Sequence, residues 1–276
     1  MPRDNEGARV ADLMSSEIIM CSRDADLGSV AATLARKRIH AVCVSDDEGN
    51  PIGVVSDFDL LAGEWLADDS EGLQTMRAIT AGELMTSPIE TIGADAPAAE
   101  AAARMRQLRL SRLLVTDGRG SAVGVISVSD LVAPLGRSSG DRRSVRDVMS
   151  HAIVTCPAET SLEAACRAMT ERRSRSIIVV DDNGQAAGVI TGNDLLSLYE
   201  SRALQGTVAD LMTTPIACAP DLSLSAAADV MIRHEVHRLV VTDPSRPDGV
   251  PIGIVSTSDI VAEMADERSV WRQPMD

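Results

Sequence analysis

Gly188-Val189-Ile190-Thr191-Gly192-Asn193-Asp194 decides the fold, because its pattern occurs four times in the chain. The other copies are Gly53-Val54-Val55-Ser56-Asp57-Phe58-Asp59, Gly124-Val125-Ile126-Ser127-Val128-Ser129-Asp130 and Gly253-Ile254-Val255-Ser256-Thr257-Ser258-Asp259. Each reads glycine, two aliphatic residues, a hydroxyl residue, two free positions and aspartate. An apolar pair follows: Leu60-Leu61, Leu131-Val132, Leu195-Leu196, Ile260-Val261. This is a short buried strand entering the first turn of a helix, with the hydroxyl at the N-cap and the carboxylate three residues on.

A second marker repeats in step with the first: Asp12-Leu13-Met14, Glu83-Leu84-Met85, Asp147-Val148-Met149 and Asp210-Leu211-Met212. The distance from this Met to the motif Asp is 45 residues in three copies and 47 in the fourth, where Pro244 to Gly249 enlarges a turn. A repeat at fixed period is read before any other feature.

Between the markers, hydrophobic period orders the elements. Short apolar runs (Ile18 to Met20, Ile89 to Ile92, Ile153-Val154, Ile216 to Cys218) predict a first strand. Helical stripes follow at Leu27/Val30/Ala31/Leu34, Ala98/Ala101/Ala102/Met105, Leu162/Ala165/Cys166/Met169 and Leu224/Ala227/Ala228/Met231. Their methionines are read as core filler. The β-rich runs from Ala41, Leu113, Ile177 and Leu239 end in acidic, Gly-containing turns such as Asp181-Asp182-Asn183-Gly184, which suit a hairpin into the Gly-led strand. The unit is therefore strand, helix, strand, strand, helix. One such unit is too small to bury its own sheet well, so neighbouring repeats are expected to pair. The fold class is α/β (α+β), with repeats over 7–62, 80–135, 144–200 and 207–265, a linker at 136–143 and a polar tail at 266–276.

Composition narrows the function. The 276 residues carry a net charge of −15, which argues against nucleic acid as the main partner. Only Phe58, Trp65, Tyr199 and Trp271 are aromatic, so base-stacking platforms are absent. Five cysteines form no CxxC or Cys/His cluster and are read as reduced, buried thiols. The first ten residues lack an apolar signal core, and no apolar run reaches the ~18 residues that would span a bilayer. A cytoplasmic protein without membrane insertion is expected. The four histidines show no metal-ligand spacing and no P-loop is present, so an enzyme is not expected.

The [DE]-h-M start, the order of elements and the closing G-h-h-[ST]-x-x-D resemble the cystathionine-β-synthase (CBS) domain, over nearly the whole chain. The resemblance implies four CBS repeats paired into two Bateman modules, the first with the second and the third with the fourth. It is similar to nucleotide-sensing CBS regulators such as the gamma subunit of AMP-activated protein kinase. It implies AMP, ADP or ATP as a regulatory ligand in clefts between paired repeats, with no obligatory cofactor. Asp59, Asp130, Asp194 and Asp259 would take ribose hydroxyls, and Ser56, Ser127, Thr191 and Ser256 would assist with phosphate. A helix N-terminus suits an anion, and a carboxylate accepts strongly from a diol.

Phosphate also calls for cations. Before the second strand the repeats read Ile39-His40-Ala41, Leu110-Ser111-Arg112, Ser174-Arg175-Ser176 and Val236-His237-Arg238. His237, Arg238 and Arg112 are the expected phosphate contacts, with Thr160 as a further polar contact. Neighbouring strand residues face opposite ways, so His40 and Arg175 need not act as Arg112 and Arg238 do. Repeats two and four carry the fullest set, which favours Asp130 and Asp259. A competing reading stays open: [ST]-x-x-[DE] is also a capping box, and the chain would then be a ligand-independent scaffold. S-adenosylmethionine shares the adenosine and is a further alternative. A protein partner or a homodimer is expected, since the repeats leave no room for an effector domain.

Overall fold

A computed structural model describes residues 8–65, 79–134, 143–201, 206–245 and 249–264. The linker expected at 136–143 lies, except for Arg143, outside the described residues, and so does the tail at 266–276.

Each repeat contributes one three-stranded sheet with a parallel and an antiparallel pair. The strands are β1 (Met20–Ser22), β2 (Ala41–Ser45) and β3 (Pro51–Ser56); β4 (Thr91–Gly93), β5 (Arg112–Thr116) and β6 (Ala122–Ser127). The second half supplies β7 (Thr155–Pro157), β8 (Ser176–Val180) and β9 (Ala186–Thr191), then β10 (Ala217–Cys218), β11 (Arg238–Thr242) and β12 (Pro251–Ser256). The helices are α1 (Val10–Leu13), α2 (Leu27–Lys37), α3 (Asp57–Trp65), α4 (Ala81–Leu84), α5 (Ala98–Leu108) and α6 (Val128–Val132). They continue as α7 (Leu162–Arg172), α8 (Gly192–Ser201), α9 (Leu224–Arg233) and α10 (Thr257–Met264).

All four helical stripes predicted from the periodicity are buried, Met105, Met169 and Met231 among them. Each large side chain so buried contributes about 1.5–3 kcal/mol. Capping starts three of these helices: Asp26 accepts from Ser29 N–H at 2.9 Å, Ser161 from Ala164 and Ser223 from Ala226, each at 3.2 Å. Three of them end in a left-handed residue, Arg38 (φ 52°), Arg109 (φ 57°) and Arg173 (φ 50°); the fourth passes through Glu235 (φ 54°). Glycine is the residue this conformation favours, and a side chain there costs on the order of 1 kcal/mol.

The first strands begin about two residues later than the apolar runs predict. The apolar residues are not wasted: Ile19, Ile153, Val154 and Ile216 line clefts between repeats instead. Hydropathy reports removal from bulk water, and a cleft wall and a strand core look alike to it.

Two kinds of contact close the four repeats on one another within a single chain. Within a pair, β3 bridges Thr86 at Val54 and β6 bridges Ser15 at Val125, while Ser150 meets Ile254 and Val189 meets Thr213 in the second pair. The start of each repeat crosses to its neighbour. Val10 N–H donates to Ala96 O at 2.9 Å, and Ala81, Val145 and Val208 donate to Ala25, Leu222 and Thr160, each at 2.8 Å. The repeated Met follows. Met85 and Met14 lie over Gly53 and Gly124, Met212 and Met149 over Gly188 and Gly253. A Cβ on Gly188 would stand 2.5 Å from Met212 Sδ, so the motif glycine is the space that its partner's methionine occupies.

Between pairs the contact is helix on helix. Helix α2 packs on α8 and α3 on α7, joining repeats one and three, while α10 packs on α5 and α6, joining four and two. Leu61 enters the core of the third repeat and Leu196 that of the first. Repeats two and four share one continuous core. The ring order is thus one, two, four, three. All five cysteines are free thiols, with Cys43, Cys166 and Cys218 buried. Among the described residues no helix is long and apolar enough to cross a membrane.

Candidate functional site

The motif Asp residues close capping boxes in all four repeats. Asp59, Asp130, Asp194 and Asp259 each accept, through Oδ2, the backbone N–H of their own cap residue at 2.7–2.8 Å. The same oxygen accepts the cap hydroxyl at 2.6–2.7 Å. The glutamate of the Thr80–Glu83 box makes the same backbone bond at 2.8 Å, so Asp serves as well as Glu here. The single hydroxyl proton of Ser56, Ser127, Thr191 and Ser256 thereby goes to carboxylate. As folded, the donors left for an anion are backbone N–H groups of the first helical turn and nearby cations.

Three cavities carry three of the four motif carboxylates. Asp130 and Ser127 line one of about 320 Å³, walled by Ile19, Val42, Val54 and Val125 and shared with Arg112. Asp194 and Thr191 line a second of about 590 Å³, with Val189, Ile216, Val240, His237 and Arg238. Asp259 and Ser256 line the largest, about 960 Å³, with Ile153, Val154, Ile254, Arg112 and Arg238. Each combines the strand residues of one repeat with the hydroxyl and carboxylate of its paired repeat. Asp59 and Ser56 line none of these three. Thr160 does not either: it sits in the turn before α7, where its carbonyl accepts from Val208 and its hydroxyl bonds Cys156.

At the centre the basic residues before the second strands converge. Strand alternation would have separated His40 and Arg175 from Arg112 and Arg238, but both lie in bends ahead of the strands, where alternation does not apply. A backbone bond repeated in every unit holds each bend against the partner helix start of its own repeat. Asp57 N–H donates to His40 O at 3.0 Å, Val128 to Ser111 at 2.9 Å, Gly192 to Arg175 at 3.4 Å and Thr257 to His237 at 3.0 Å.

Asp57 Oδ2 lies 2.9 Å from His40 Nδ1, and Asp57 is only 6 % exposed. Burial pushes its carboxyl up, but the hydrogen bond and charge of His40, with the charge of Arg175, hold it below the usual carboxylate range. The His40 ring meets that of His237 edge-on with centroids 4.8 Å apart, and His237 Nδ1 lies 3.3 Å from Ser129 Oγ. Burial, then the charges of His40, Arg238 and Arg112, pulls His237 down to about 4. Arg238 is lowered to about 10 by burial and by Arg175, and Arg112 is lowered by burial. Arg112 also donates to Ala41 O at 3.2 Å. Burial raises Asp259 against its bonds from Ser256 and the charge of Arg238. Among the described residues no group of three or more metal-ligating side chains is found.

The arrangement gathers His40, His237 and four-fold repeated basic positions, Arg112, Arg175 and Arg238 among them, at a centre onto which aliphatic clefts open. Asp57 and Arg175 were missed as site residues in the sequence. The signal was in the columns of the repeat: Asp57 stands where the other copies have Val128, Gly192 and Thr257, the only charge at that position.

The CBS domain family model matches residues 10–64, 81–136, 145–201 and 208–266. An uncharacterized protein of Methanopyrus kandleri, MK0525, is 27% identical over 126 residues, 45% of this chain and 64% of that protein. An inosine-5'-monophosphate dehydrogenase of Nitrosopumilus maritimus is 25% identical over 159 residues, 57% of this chain and 32% of the enzyme. The chain thus spans under two thirds of the length of both relatives. In structure, it is similar to MJ1225 of Methanocaldococcus jannaschii, described as a candidate archaeal homologue of g-AMPK. The TM-score is 0.79 at 15% identity, over 92% of this chain and 99% of that one.

Proposed function

The chain belongs to the CBS domain family, and on that premise we propose that it is a regulatory sensor of adenine nucleotide. AMP, ADP or ATP binds between paired repeats, and its phosphates reach the central arginines. Occupancy then shifts the two pairs relative to each other and is read by a protein partner or a second copy of the chain. The observation that carries the reading is that Asp259 and Asp194 line cavities sharing Arg238, so a diol acceptor and a phosphate cation border one space. Aliphatic walls accept the base, and the carboxylate oxygen left outside the capping box accepts the ribose diol. S-adenosylmethionine fits the same adenosine features less well, because its sulfonium gains nothing from a lining rich in arginine. The reading assigns no catalysis to the chain.

The closed capping boxes favour a second reading, a scaffold whose motifs serve only the helices. Thermal unfolding of nucleotide-free protein against AMP, ADP, ATP, GTP and S-adenosylmethionine separates the two, with the Asp194→Ala/Asp259→Ala variant alongside. At 100-fold excess over Kd, binding to the native state adds about 2.7 kcal/mol. A shift with an adenine nucleotide that the variant loses supports the sensor; no shift with any of the five supports the scaffold.

A further inference from the structure

The largest of these three cavities is lined by Arg38, Arg109, Arg112, Arg172, Arg173, Arg175 and Arg238 against only two carboxylates, Asp57 and Asp259. That is an excess of five positive charges in a chain whose net charge is −15. Arg109, Arg172 and Arg173 are exposed, and no ion pair is found for them among the described residues; Arg175, also exposed, lies in the field of Asp57. Of the lining arginines Arg38 is the one with an ion pair among the described residues, to Glu235, as Arg104 has to Glu90, Arg167 to Glu163 and Arg233 to Asp229. The unmatched group comes from repeats two and three, which face each other across the ring without a shared sheet or helix interface. Two of its members also sit where the backbone asks for glycine. Arg109 and Arg173 end their helices at φ 57° and 50°, so a charged side chain is held there against local preference. Ser111 adds a hydroxyl to the same lining, while that of Ser174 donates to Ser176 O at 2.6 Å.

We infer that this mouth between repeats two and three is a polyphosphate site, taking a chain of three or more phosphates that runs from Arg175 and Arg238 out to Arg109 and Arg173. A monophosphate carries at most two charges and can satisfy only the inner arginines; a triphosphate carries about four and matches the excess. The inference deepens the nucleotide reading by selecting the triphosphate class, but it does not need the adenosine cleft to be correct.

The test uses the full chain freed of nucleotide and three probes: orthophosphate, inorganic tripolyphosphate and AMP, titrated by calorimetry at fixed ionic strength. The variant is Arg109→Gly/Arg173→Gly, chosen because glycine suits the left-handed backbone and folding is retained; Arg109→Asn/Arg173→Asn is the control for backbone loosening. Tripolyphosphate is expected to bind wild type about 100-fold more tightly than orthophosphate, roughly tenfold for each outer arginine engaged. Both variants are expected to lose that advantage while orthophosphate binding stays. Equal affinity for the two inorganic probes in wild type, or an advantage that survives in both variants, overturns the inference. AMP binding that fails in wild type while tripolyphosphate binds removes the nucleotide reading and leaves the polyphosphate site standing.

Discussion

His40 Nδ1 stands 2.9 Å from Asp57 Oδ2 at the point where the repeats meet, and Asp57 is the one buried aspartate among the described residues. Its neighbours are His40 and the cations Arg112 and Arg175, so it both stabilises the centre and would compete with an incoming anion. Asp57→Asn is expected to lower stability by about 2–4 kcal/mol at neutral pH. It should at the same time tighten phosphate binding by roughly three- to tenfold, since one competing charge is gone. The pH sign follows from the lowered carboxyl. The stability it contributes is present above the unfolded value of about 4 and is lost as pH falls below it. Urea unfolding of wild type and variant from pH 7 to 3 checks this: the gap between them should close at acid pH.

His237 behaves oppositely. With its folded pKa at about 4, it stays neutral while an unfolded histidine takes a proton near 6.5. Wild type should therefore lose stability as pH falls through the window between these values, and His237→Gln should lose less. Phosphate bound beside His237 would favour the imidazolium, so binding near pH 6 should be accompanied by proton uptake. Calorimetry in two buffers of different ionisation enthalpy measures it; no difference in wild type would place the phosphate elsewhere.

At Asp259 burial raises the carboxyl, so ionisation is penalised in the folded state. A raised carboxyl contributes stability below the unfolded value and loses it as pH rises through the folded one. Asp259→Asn should consequently leave stability at pH 7 within about 0.5 kcal/mol of wild type or above it. Ser256→Ala/Asp259→Ala, which removes the whole box, should cost about 1–2 kcal/mol. Thermal melts of the two variants separate capping from charge.

The contact of Gly188 with Met212 can be tested by a double-mutant cycle. Gly188→Ala forces its new Cβ onto the thioether and should destabilise by about 1–3 kcal/mol. Adding Met212→Ala removes the thioether and Cγ and leaves the residue's own Cβ at 2.9 Å, so the clash is relieved in part and the double variant should be more stable than the sum of the single losses by about 1 kcal/mol. Additive losses would mean that the glycine is required for another reason.

Much of this protein was legible as spacing. Helix stripes, caps and hairpin turns are local consequences of side-chain period and hydroxyl or carboxylate placement, and four copies made each of them readable four times. The family match and the four sheets agree with that reading. The motif carboxylates were legible too, although the sequence could not tell that Asp would close the capping box as well as Glu does.

What only the tertiary structure decided is which repeat meets which. No local pattern encodes that Met212 covers Gly188, that α2 lies on α8, or that Arg175 and Arg238 share a cavity with Asp57. These pairings depend on shape complementarity between surfaces far apart in the chain. The charges they gather become informative only once their distances are known, because Coulomb energy depends on separation in space and a sequence specifies separation along the chain.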